Sequence, residues 1–173
     1  SVIDYNNDGL KDILVGNYGY FSNGDRISQL ALFENIGTAS EPSFELINRD
    51  FGGISEIPLN TDINAPVSGL TPTHADLDND GDIDLIVGSA NGRLHYFKNT
   101  ALVGENTEYS LEIFNLFDID LGQFAAPFLY DLNEDGLYDL VIGQLNGSLT
   151  YAPNNGTEEE PVFDELIPNL GGV

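Results

Sequence analysis

The sequence predicts an all-β chain of about three four-stranded antiparallel β-propeller blades, an incomplete propeller or part of a larger one. Three observations predict it. An aspartate-rich nonapeptide occurs three times, each copy runs into a short apolar segment ending in Gly, and each such segment is followed by an alternating segment ending in Asn. Self-similarity on this scale marks a stack of supersecondary units, none of which buries its apolar faces alone.

The nonapeptides are Asp4-Tyr5-Asn6-Asn7-Asp8-Gly9-Leu10-Lys11-Asp12, Asp76-Leu77-Asp78-Asn79-Asp80-Gly81-Asp82-Ile83-Asp84 and Asp131-Leu132-Asn133-Glu134-Asp135-Gly136-Leu137-Tyr138-Asp139. Oxygen side chains at positions 1, 3, 5 and 9 with Gly at 6 are the makings of a hard-cation loop. Gly allows the sharp turn, and the oxygens replace the hydration shell of a calcium ion. Magnesium suits the pattern less, because it dehydrates reluctantly and takes fewer protein ligands.

The Gly-terminated runs are Ile13–Gly16, Leu85–Gly88 and Leu140–Gly143, and each reads as a second strand. Asn91-Gly92 and Asn146-Gly147 then signal hairpin turns. The Asn-terminated third strands are Leu30–Asn35, Leu94–Asn99 and Leu149–Asn154. Their length and their β-branched and aromatic content fit strands rather than helices. First strands are expected at Pro72–Leu77 and Ala126–Leu132, with only a stub before Asp4. Fourth strands are expected near Phe44–Phe51, Leu111–Phe117 and Val162–Ile167. The whole chain, 1–173, reads as one propeller segment with repeats of approximately 1–70, 71–124 and 125–173.

Composition narrows the function. With 29 acidic and 5 basic residues the net charge is −24, yet a hydrophobic content of 41% is ordinary for a folded domain. Three divalent ions would offset only six of those charges, so nucleic acid and anionic membrane are poor partners. No cysteine is present, which excludes disulfides, thiolate metal sites and a Cys nucleophile. No apolar stretch approaches the ~18 residues of a membrane span. Methionine is absent even at position 1, so the expectation is an internal piece of a longer, processed chain.

The pattern Asp-x-Asp/Asn-x-Asp-Gly-x-x-Asp, followed by Leu/Ile-x-Val/Ile-Gly, resembles the FG-GAP/VCBS repeat of integrin α-subunit propellers and of many secreted bacterial surface proteins. The resemblance covers essentially the whole chain. It implies about three Ca²⁺ ions, one in each loop between strands 1 and 2. The side-chain ligands it implies are Asp4, Asn6, Asp8 and Asp12, then Asp76, Asp78, Asp80 and Asp84, then Asp131, Asn133, Asp135 and Asp139. Leu10, Asp82 and Leu137 would add backbone carbonyls. Asn at position 3 lowers the charge of the first and third loops, so both are expected to bind more weakly than the middle one. The resemblance further implies an extracellular, secreted or cell-surface setting of bacterial type.

Competing motifs fail on specific residues. An EF-hand needs a bidentate Glu at position 12, where this chain has Val15, Val87 and Ile142. No catalytic constellation is recognisable. His74 and His95 fall on strands 1 and 3 of one unit and read as packing or surface residues, and no Ser sits in a Gly-x-Ser-x-Gly setting. The first repeat exceeds the second by 17 residues, of which eight fall between strands 2 and 3. These carry Tyr18, Tyr20, Phe21 and Arg26, a candidate ligand-binding loop; the other nine fall near Gly53–Gly69. Both insertions are expected on the face away from calcium, where long loops on a rigid scaffold tend to bind partners. The expected function is non-catalytic: adhesion, protein interaction or assembly with a protein or polysaccharide ligand, without membrane insertion. The remaining blades would come from the parent chain or other subunits. The alternative is a carbohydrate-binding module, or the scaffold of a polysaccharide-active enzyme.

Overall fold

The computed structural model of the chain describes residues 1–23, 25–56, 68–101 and 107–172. In chain order the first repeat contributes β1 (Val2–Ile3) and β2 (Asp12–Gly16), then the separate hairpin β3 (Tyr20–Ser22) and β4 (Asp25–Ile27), then β5 (Leu30–Asn35) and β6 (Phe44–Asn48), the first sheet being β1, β2, β5 and β6. The second comprises β7 (Thr71–Ala75), β8 (Asp84–Gly88), β9 (Leu94–Asn99) and β10 (Tyr109–Ile113). The third comprises β11 (Ala125–Tyr130), β12 (Asp139–Gln144), β13 (Leu149–Ala152) and β14 (Ile167–Pro168). Each is a four-stranded antiparallel meander, β1-β2-β5-β6, β7-β8-β9-β10 and β11-β12-β13-β14. Among the described residues there is no α-helix and no closed barrel, so the architecture is all-β with the form of an incomplete propeller.

The two-residue period of a strand explains how three sheets share two cores. On β8, Leu85 and Val87 face the first sheet and pack with Leu14, Leu30, Leu32, Phe97 and Tyr109. Ile86, between them, faces the other way and packs with Ala75, Tyr96, Leu129, Leu140 and Ile142. Every residue of β8 is therefore buried.

A repeated clasp joins one sheet to the next at the Gly that ends β2 and β8. Leu70 N donates to Asn17 O at 3.1 Å, and the equivalent Ala125 N donates to Ser89 O at 3.0 Å. The carbonyls of Leu70 and Ala125 come to rest over Gly16 and Gly88, where any Cβ would strike them. Two threonines reinforce the second junction: Thr71 Oγ1 donates to Ala125 O at 2.6 Å, and Thr73 Oγ1 accepts from Leu129 N at 3.2 Å. On the third sheet the outward side differs. A Cβ on Gly143 would meet nothing closer than 3.8 Å. Phe128 and Tyr130, at the positions of Thr73 and Ala75, stack on each other at 6.4 Å and stay exposed.

Several boundaries differ from the sequence expectation. First strands end at Ala75 and Tyr130, before the loop begins to turn. The fourth strand of the first sheet stops at Asn48 and gives way to a 3-10 turn, Phe51–Glu56, in which Gly52 and Gly53 take φ of +73° and +61°. The last fourth strand is only Ile167–Pro168, because Val162 instead accepts a loop bond from Asn155 N. The eight-residue insertion is a hairpin, with Tyr20 opposite Ile27 and Ser22 opposite Asp25. The second insertion falls on 57–67, outside the described residues.

Candidate metal centre

The three aspartate loops share one backbone course. Position 4 is left-handed in each, at Asn7 (φ +57°), Asn79 (+54°) and Glu134 (+61°), and so is position 6, at Gly9 (+84°), Gly81 (+95°) and Gly136 (+95°). A Cβ at those glycines would meet no atom within 4 Å; the backbone conformation, not crowding, calls for Gly. Side chains brace the bend. Position 1 accepts the N–H of Gly9, Gly81 or Gly136 at 3.0, 3.1 and 2.9 Å. Position 5 accepts the N–H of Leu10, Asp82 or Leu137 at 2.7, 3.0 and 2.8 Å. That bond orients position 7, whose carbonyl the family resemblance implies as a ligand.

Position 9 has a second role that ligand spacing did not disclose. Asp12, Asp84 and Asp139 are completely buried at the start of the second strands. One carboxylate oxygen accepts the N–H of loop position 2, at 3.1 Å from Tyr5, 3.2 Å from Leu77 and 3.0 Å from Leu132. The other accepts the N–H of the Asn that closes the third strand, at 2.8 Å from Asn35, 2.8 Å from Asn99 and 2.9 Å from Asn154. Tyr96 and Tyr151 add hydroxyl donors to Asp84 and Asp139, both at 3.0 Å. Each Asn side chain then accepts two N–H groups across the following turn: Gly37 and Ser43, Ala101 and Glu108, Gly156 and Val162. A buried carboxylate thus pins the loop to the end of the third strand, and an amide pins that end to the segment leading toward the fourth. The Asn that ends each third strand in the sequence was the available signal. Burial pushes the Asp84 carboxyl up to about 6, against the downward pull of its Asn99, Tyr96 and Leu77 hydrogen bonds.

The remaining oxygens gather on the loop's open side. Carboxylate oxygens of Asp76, Asp78 and Asp80 lie within 4.8 Å of one another. Asp76 Oδ1 and Asp78 Oδ1 are buried without a hydrogen-bond partner, which is costly for an ionised oxygen unless a cation faces it. Every loop also brings N–H groups among its acids. Asn6 Nδ2 donates to Asp8 Oδ2 at 3.1 Å and Asn133 Nδ2 to Asp135 Oδ2 at 2.8 Å. In the middle loop the ammonium of Lys98 pairs with Asp78 and lies 3.4 Å from Asp80. The Asp78 bond holds that ammonium up at about 12. Converging carboxylate oxygens are the donors a hard cation takes, so the donor set of the middle loop fits one. No lysine in the ligand spacing announced Lys98; only the pairing of β8 with β9 brings it to the loop.

The insertion hairpin leaves Tyr18 and Tyr20 about half exposed and Phe21 79% exposed. Tyr18 stacks on Phe124 at 5.7 Å and 6°, and Tyr20 OH donates to Gln29 Oε1 at 3.1 Å. Phe124 directly precedes β11, at the end of the third sheet opposite its aspartate loop. Arg26 lies on β4, but its side chain is outside the described residues.

The histidines stand apart from the acids in their hydrogen bonding. His74 Nδ1 pairs with Ser1 Oγ at 2.6 Å. His95 is fully buried, with Nδ1 on Phe114 O at 3.0 Å and its ring 5.2 Å from that of Phe114. Burial lowers the His95 imidazole to about 4. Between the ordinary 6.5 and 4 the unfolded chain therefore binds a proton that the folded chain refuses, and stability falls as pH falls. Relative to His95→Gln, the wild type should lose about 3 kcal/mol across that window. Urea unfolding of both proteins at pH 7 and pH 4 measures it, and a constant difference would refute a neutral buried imidazole.

No curated protein and no solved structure matches the chain. A family model does: residues 76–142, from the first aspartate of the middle loop into β12, match the FG-GAP-like repeat.

Proposed function

We propose that this chain is a non-catalytic, calcium-stabilised β-propeller segment of an extracellular protein, secreted or displayed on a cell surface, where it serves adhesion, protein interaction or assembly. One observation carries the reading: the three loops share left-handed turns at positions 4 and 6, and in the middle loop the carboxylates of Asp76, Asp78 and Asp80 converge with two buried oxygens that have no partner. Asp4, Asn6, Asp8 and Asp12, with their counterparts in the other loops, would hold Ca²⁺ together with the carbonyls of Leu10, Asp82 and Leu137. The ion's contribution is structural, neutralising clustered acids that otherwise repel. The extracellular setting rests on the company FG-GAP-like repeats usually keep. Among the described residues no helix is long and apolar enough to cross a membrane.

The open side of the third sheet supports assembly with further blades. Gly143 keeps the small profile that Gly16 and Gly88 use to admit a neighbouring strand, and Phe128 and Tyr130 give that side exposed apolar surface. A further blade, from the parent chain or another subunit, is the partner that fits.

Calcium removal tests the central claim. At free calcium a hundredfold above Kd each site adds about 2.7 kcal/mol, so three loops raise Tm by roughly 15–30 °C over the chelated protein. A melting curve indifferent to chelator sinks the proposal. The exposed Tyr20 and Phe21 favour one second reading, a carbohydrate-binding module whose aromatics stack on sugar. A glycan array in millimolar calcium decides it; an array without hits removes that reading and leaves the first.

A further inference from the structure

Ranked on the nine loop residues alone, the middle loop is the most acidic and binds calcium most tightly. The structure adds one more group to each loop, and the sign of that group differs. In the first two sheets the residue just before the closing Asn of the third strand lies beside loop position 3. In the first sheet it is Glu34, whose Oε1 accepts from Asn6 Nδ2 at 3.3 Å. In the second it is Lys98, whose ammonium pairs with Asp78 and lies 3.4 Å from Asp80. In the third sheet the residue before Asn154 is Pro153, just past the end of β13, and it carries no charge.

We infer that this third-strand residue tunes each loop's calcium affinity: Glu34 strengthens the first loop and Lys98 weakens the middle one, so the first loop fills before the middle loop. The inference rests on the calcium reading of the loops and adds a regulator to it. An ion entering the middle loop must displace an ammonium already paired with two of its ligands, and the two cations compete for the same oxygens. Lys98 has somewhere to go. A cleft of about 230 Å³ beside it is also lined by Glu112 and Glu159, acceptors for a displaced ammonium. In the first loop a fourth carboxylate compensates for the neutral Asn6, and extra ligand charge tightens a calcium site. The middle loop then responds to calcium over a higher concentration range than the first, giving one segment two thresholds.

Calorimetric titration with CaCl₂ of the chelator-stripped chain at low salt tests this. Lys98→Gln should tighten one site about tenfold and leave the others unchanged. Lys98→Arg, which keeps the charge, should titrate like the wild type. Glu34→Gln should weaken a different site about tenfold and serves as the independent arm if Lys98→Gln fails to fold. Wild-type binding with unchanged affinities in Lys98→Gln or Glu34→Gln overturns the tuning while leaving the calcium reading intact. A wild-type chain that takes up no calcium overturns that reading itself.

Discussion

Gly88→Ala will destabilise the chain by about 3 kcal/mol or more, enough to lower Tm by roughly 6–12 °C. The added methyl has nowhere to go. Its Cβ would strike the Ala125 carbonyl, with Pro127 Cδ at 2.6 Å and Thr71 Oγ1 at 2.7 Å. These belong to backbone, a ring and a hydrogen-bonded hydroxyl, so relief requires the third sheet to draw back from the second. Withdrawal breaks Ala125 N to Ser89 O and Thr71 Oγ1 to Ala125 O and opens the core around Ile86 and Leu140. Gly16→Ala meets the Leu70 carbonyl in the same way. Gly143→Ala is the internal control: its methyl has room, and replacing a strand glycine is worth about 0.5–1 kcal/mol in the stabilising direction. Thermal melts of the three variants settle it. Equal losses in all three would show that the clasp is not what these glycines serve.

Asp84→Ala will cost about 3–5 kcal/mol in chelator, before any ion is considered. Removing this carboxylate strands Leu77 N, Asn99 N and the Tyr96 hydroxyl in a site with no exposure. Each buried donor left unmatched costs about 1–3 kcal/mol. Asp80→Ala, on the exposed side of the same loop, should barely change the melt in chelator, since it relieves acid repulsion while losing one loop bond and an exposed ion pair with Lys98. In calcium the ranking compresses, because both variants lose an ion from the middle loop. Melts of both variants with and without chelator separate the two roles of position 9. A loss under 1 kcal/mol for Asp84→Ala in chelator would reduce it to a ligand.

The repeats made much of this legible. Second strands and loops read cleanly because a buried two-faced strand is a run of β-branched and aliphatic residues and the loop chemistry leaves few substitutes for Asp and Gly. Fourth strands read poorly because they sit at a sheet edge: β6 and β14 expose most of their residues, so no apolar pattern fixes their limits. The hairpin of the insertion had its signal in the dipeptide Asn23-Gly24, which favours a two-residue hairpin turn. Lys98 and Glu34 were illegible as loop neighbours, because their approach depends on strand register rather than on distance along the sequence. The outward aromatics Phe128 and Tyr130 were equally hidden, since only comparison with Thr73 and Ala75 across the stack shows what they replace.

The doubly covered β8 makes the molecule a short column with a hard centre and two softer flanks. Thermal loosening in such a column starts at its outer members and works inward, each lost sheet baring one face of the next. A pull applied along it would therefore yield in steps rather than all at once.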